Sequence, residues 1–148
     1  MTSATLTNCL PPKCWENITL SLLYLLAGGA IYVLWRPESI FINVMLQYLV
    51  GPLGYSRLIG TFTSVAVAPF FVYSLPAALW VAAFGHALLC VVPRNNSREQ
   101  VTWLLVPPAI GIASELAQSA SMLPGTYDAD DVMAYLSAGM YLQLIRYL

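Results

Sequence analysis

Glu115 and Gln118 stand three residues apart in an apolar run, and Asp128, Asp130 and Asp131 follow after a short polar interval. Four of the seven acidic residues thus fall inside 112–139, IASELAQSASMLPGTYDADDVMAYLSAG. A spacing of three puts Glu115 and Gln118 on one helix face, and Asp131 and Tyr135, four apart, share a face of the next helix, with Gly139 close to it. Leu123-Pro124-Gly125 between them reads as a turn, so the two stripes can face each other across an antiparallel hairpin. Carboxylates gathered in this way could hold a hard divalent cation, or supply an acid and a base. The stretch has no Arg or Lys to grip a phosphate. Nor does it hold a histidine to activate Ser114, Ser119, Ser121 or Ser137.

The aspartates also have a purely structural use. Asp128 is placed to cap the second helix, worth about 1 kcal/mol, and Asp130 and Asp131 suit the positive end of its dipole. Glu115 is harder to account for. A charged side chain in a membrane-spanning run costs roughly 2.5–3.5 kcal/mol at the centre and less toward the ends. Two readings stay open for it: a site-forming group facing a polar cavity, or a structural clamp bonded to Gln118 or a serine.

The elements that must position these residues follow from composition. The chain has 148 residues, 59% hydrophobic and 9% charged, with a mean hydropathy of +0.70; a soluble domain carries about 25% charged residues. Six basic and seven acidic side chains cannot coat a soluble core of this size, so lipid must solvate much of the surface. One integral membrane domain, 1–148, is expected. The net charge of −1 and singly scattered basic residues leave no nucleic-acid footprint. The first residues, MTSATLTNCLPPKCWEN, lack the basic start and cleavage site of a signal peptide. Cys9 and Cys14 flank Pro11-Pro12, and the one histidine, His86, is far from them, so no metal or haem site and no cofactor is expected. His86 itself is expected to be neutral, bonded to a neighbouring helix, or near the interface.

In chain order, 18–35 is an apolar stretch long enough to cross a ~30 Å hydrocarbon core, with Trp15, Tyr32 and Trp35 at its ends and Gly28-Gly29 as a flat packing spot. Residues 38–55 read as an interfacial helix, with Phe41, Val44, Met45, Tyr48 and Leu49 on one side and Ser39, Asn43 and Gln47 on the other, ended by Gly51-Pro52. No formal charge occurs from Leu58 to Pro93. Two crossings there would need about 40 residues, so one crossing at 74–92 is expected, with 58–72 packed on the bundle or dipping into the interface. Residues 94–100, RNNSREQ, read as an aqueous loop. Crossings near 103–122, kinked at Pro107-Pro108, and near 132–148 complete the set. The fold class is all-α: a polytopic membrane helical bundle of about four transmembrane helices plus an interfacial or re-entrant segment. Lys13, Arg94, Arg98 and Arg146 outnumber Arg36 and Arg57, which places both termini in the cytoplasm and the acidic loop 123–131 outside.

At Glu115-x-x-Gln118 and Asp128-x-x-Asp131 the chain resembles the VanZ-like family of small bacterial membrane proteins, named for a teicoplanin-resistance protein. That family carries Glu-x-x-Gln on one helix and Asp-x-x-Asp at the head of the next, then a polar residue and a glycine. The resemblance covers about the last 45 residues and, loosely, the four-span outline. Pro124-Gly125-Thr126 stands where members often have an arginine, Tyr135 where they have an asparagine, and the glycine is displaced to Gly139. The Asp-Lys-x-x-His that often opens the family's second span is absent from Tyr73–Trp80, and His86 does not align with it. The resemblance implies a divergent member in the bacterial inner membrane.

The function expected from the sequence is non-enzymatic. It is that of an accessory or subunit protein of the bacterial envelope, binding a partner or amphiphile through Glu115, Gln118, Asp128, Asp131 and Tyr135. Its partners would be the lipid bilayer and a membrane protein or complex. The alternative is a metal-dependent enzyme acting on an envelope lipid or lipid-linked precursor. Four short spans without an internal repeat suit a transporter poorly.

Overall fold

A computed structural model describes residues 12–35, 41–60, 67–92 and 97–147, and within them the secondary structure is entirely helical. Helix α1 spans Pro12–Trp35, α2 Phe41–Gly60, α3 Pro69–Tyr73, α4 Leu75–Val91, α5 Ser97–Ser119 and α6 Ala129–Ile145. Among the described residues one helix, over Lys13–Trp35, is long and apolar enough to cross a membrane; Leu75–Val91 is apolar but shorter.

The hub is α4, which packs against α1, α5 and α6. It can hold this place because its packing surface is small: Ala82, Ala83 and Gly85 are buried beside Val81, His86 and Leu89. A Cβ on Gly85 would collide with the side chain of Leu142 on α6. Close approach of helices through small residues is the usual way membrane helices gain van der Waals contact. Val81, Ala138 and Leu142 form the core cluster, with Ala78, Tyr135, Tyr141 and Ile145 packed around it.

Helix directions follow from paired residues. On α1 and α4, Asn17 meets His86 while Gly28 and Tyr32 lie against Trp80, so the two run antiparallel. Helix α6 runs parallel to α4, because His86 meets Tyr141 whereas Val81 packs lower, on Ala138. Helix α5 is antiparallel to α6. The C-terminal ends of α1 and α5 therefore lie at the same end of the bundle as the N-terminal ends of α4 and α6.

Polar side chains join α1 to α4 along one stripe. The Ser21 hydroxyl donates to the Ala83 carbonyl at 2.8 Å, and the Cys90 thiol donates to the Cys14 carbonyl at 3.2 Å. His86, 2% exposed, has Nδ1 2.9 Å from Asn17 Oδ1 and Nε2 3.0 Å from the Tyr141 hydroxyl. Because Oδ1 only accepts, Nδ1 carries a proton, while Nε2 faces the Tyr141 hydroxyl, whose oxygen lies 3.0 Å from the Tyr24 hydroxyl. The ring thereby joins α1 to α6. Replacing His86 with Leu strands Asn17 Oδ1 and is expected to cost about 1–3 kcal/mol. Thermal unfolding of the detergent-solubilised protein measures it; an unchanged midpoint would mean the bonds carry no net stability.

Several boundaries differ from the sequence reading. Gly51-Pro52 does not end the second helix: Gly51 takes φ 76°, ψ 157°, the chain kinks, and helix resumes to Gly60. Asn43 on that helix is fully buried while Tyr48 is 87% exposed, along with Met45, Leu49 and Leu53. Its polar side faces the protein and its apolar side faces out. Of the loop expected over 94–100, residues from Ser97 onward are helical, with Glu99 in the favourable first turn of α5; residues 93–96 lie outside the described set. Pro107 and Pro108 are inside one continuous helix. Helix α6 begins at Ala129, three residues before the expected span, because Asp128 caps it there. Of 58–72, residues 61–66 lie outside the described set, as do Cys9, Arg36 and Ser39.

Candidate functional site

The α5–α6 hairpin is locked by glycines at both levels. The Tyr135 ring lies so close to Gly111 that a Cβ there would be 2.7 Å from it, and Pro108 packs onto Gly139. At the turn, Ser121 has φ 57° and Gly125 φ 137°. Only glycine suits the latter position, since its φ disfavours a side chain and a Cβ would also strike the Gln118 amide. The sequence thus closes the hairpin tightly enough to bring the two polar stripes together.

Asp128 caps α6 through its own side chain, which accepts from the Asp130 N–H at 2.9 Å. Its backbone N–H is turned the other way and donates to Glu115 Oε2 at 3.1 Å. The Gln118 amide reaches Glu115 Oε1 only at 3.5 Å, too long to be a strong bond. Glu115 is 4% exposed. Its carboxylate therefore sits at the head of α6, where the helix N-terminus stabilises negative charge. The firm partner of Glu115 is thus the Asp128 backbone rather than Gln118 or a serine, and the residue also lines a cavity.

That cavity, about 1020 Å³, is walled by α1, α4, α5, α6 and the turn. Its size is at the upper end of the roughly 300–1,000 Å³ typical of ligand pockets. All five residues singled out from the sequence, Glu115, Gln118, Asp128, Asp131 and Tyr135, lie on its wall, with Ser114 and Thr126. The antiparallel packing sorts the lining. Ser114, Glu115 and Gln118, late in α5, face the head of α6, whereas Val106, Pro107 and Ile110, earlier in α5, lie toward Phe84 and Leu88 of α4. One end of the cavity is carboxylate-rich and the other is hydrocarbon. Asp131 Oδ1 is shielded from solvent and accepts no hydrogen bond.

Tyr32 and Trp80 are among the wall residues not singled out as site residues. Tyr32 of α1 stacks on Trp80 of α4, ring centroids 5.3 Å apart and planes 27° apart, beside the polar end. The available signal was spacing: Asn17, Ser21, Tyr24 and Gly28 repeat at four, three and four, which marks the α1 face that meets α4 and carries Tyr32 one turn on. Three serines of the acidic stretch are already engaged. Ser114, Ser119 and Ser137 each donate to a carbonyl of their own helix at 2.7 Å.

Among the described residues, no group of three or more His, Cys, Asp or Glu side chains comes close enough to hold a metal ion. Glu115 is linked to Asp128 through the latter's backbone, not its carboxylate. What the geometry offers is a polar recess, rich in acceptors, opening into an apolar trough. No family model, curated protein or solved structure matches the chain.

Proposed function

We propose that the chain is a multi-pass membrane protein that binds an amphiphile in the α1–α4–α5–α6 cavity without chemically transforming it, as an accessory or subunit protein of the bacterial envelope. The observation that carries this reading is the cavity's two-ended wall, carboxylates at the head and hydrocarbon below. A polar head and an alkyl chain would each meet a matching surface there.

The membrane setting rests on exposed apolar surface. Leu22, Leu23, Leu25 and Leu26 of α1 and Tyr48, Leu49 and Leu53 of α2 are uncovered, an arrangement that water penalises and lipid does not. Four crossings, near α1, α4, α5 and α6, fit the alternating helix directions; α4 and α6, at 17 residues each, are at the short limit for spanning. The segment between α1 and α4 leaves and rejoins the bundle at one end, as an interfacial α2 requires. The motif resemblance supports a divergent VanZ-like relative of the inner membrane, with the acidic turn outside.

Single cysteines at positions 97 and 126, in a background without native cysteines, test the topology: an impermeant thiol reagent added to intact cells should label position 126 alone. Native mass spectrometry of the detergent-purified protein tests the binding. A bound amphiphile or partner chain is expected, and a strictly bare monomer overturns the reading.

A further inference from the structure

We infer that the cavity selects an amphiphile whose head group is a cationic amine; this rests on the amphiphile-binding reading above and adds the head-group class to it. Glu115 lines the cavity at 4% exposure. Its bonds are one backbone N–H at 3.1 Å and one amide at 3.5 Å, whereas a carboxylate has about four acceptor positions. Asp131 Oδ1, on the same wall, is shielded and accepts nothing. Among the described residues lining the cavity there is no Lys, Arg or His. The recess is therefore short of donors and of positive charge, while the trough beside it is apolar. A phosphate or carboxylate head would add negative charge beside three carboxylate side chains, Glu115, Asp128 and Asp131, which is costly where the wall is shielded from water. A hydroxyl head brings one donor and no charge. An alkylammonium brings three donors and a full positive charge, and its chain would lie along Phe84, Leu88 and Val106. The Tyr32–Trp80 pair beside the polar end adds aromatic faces to which a cation is attracted.

The test uses the full chain in detergent and three probes of equal length bearing a terminal bromine: an alkylamine, an alkyl alcohol and an alkyl carboxylate. Bromine quenching of a tryptophan introduced at the hydrocarbon end by Phe84→Trp, isolated by comparison with the unsubstituted chain, reports occupancy. The amine is expected to bind about tenfold or more tightly than either other probe, about 1.4 kcal/mol or more. That preference should shrink in Asp131→Asn and in Glu115→Gln, both near-isosteric, while the alcohol's affinity stays within a factor of a few. Equal affinities, or a preference for the carboxylate, would overturn the amine assignment and leave amphiphile binding standing. An amine preference that survives both variants would also overturn it. If no probe quenches the tryptophan introduced by Phe84→Trp, amphiphile binding itself fails.

Discussion

Gly85→Val is expected to abolish the monodisperse folded protein in detergent, while Gly29→Val leaves it intact. Both glycines lie within apolar helices, and helix propensity alone would favour either substitution. They differ in what a side chain would meet. A Cβ on Gly85 enters the volume of Leu142, which is fully buried at the centre of the α4–α6 contact, whereas one on Gly29 has nothing within 4 Å. Overpacking costs typically about 1–3 kcal/mol, and here the strain falls on the helix that α1, α3, α5 and α6 all pack against. Size-exclusion chromatography and thermal unfolding give the readout. Adding Leu142→Ala to Gly85→Val should recover part of the loss. A Gly85→Val protein as stable as the parent would mean that α4 and α6 do not meet at this level.

The second large effect is expected at Glu115, and it separates the residue's two roles. Glu115→Leu removes the acceptor for the Asp128 N–H and should cost about 1–3 kcal/mol for the stranded donor, partly offset by relief from burying a charge. Glu115→Gln keeps an oxygen in place and removes only the charge, so its fold should be close to the parent's. Hydrogen exchange at the Asp128 amide is the local measure: fast in the Leu variant, slow in Gln and parent. If the Leu variant protects that amide as well as the parent does, Glu115 is not the clamp of the turn.

What could be read from the sequence divides along the range of the interactions. The Asp128 cap and the Pro-Gly turn were legible because capping and turn chemistry involve neighbours along the chain. The common face of Glu115 and Gln118 followed from helix geometry alone. The partners of His86 were not legible: Asn17 and Tyr141 lie far from it in sequence, and only the packing of three helices brings them together. The start of α5 was misjudged because Ser97 to Gln100 is as polar as a loop, yet Glu99 stabilises a helix N-terminus. For α2 the pattern gave the helix but not which way it turns. Asn43 and the Tyr48 side are divided as the pattern indicates, and the pattern alone carries no sign that the Asn43 side is the buried one. The reach of α2 past Gly51 went unseen because a single φ/ψ excursion bends the chain without stopping it.

The antiparallel docking of α1 on α4 has an evolutionary consequence. The chain from Trp35 to Leu75 departs from and returns to one end of the bundle, so its contribution to topology is a matter of parity rather than of length. Residues can be gained or lost there, or a reporter inserted, without reorienting the acidic hairpin. On the multi-pass reading proposed above, a single added crossing would turn everything downstream inside out. Length variation among descendants of this chain should therefore collect in that stretch, and only in increments that begin and end on the same side.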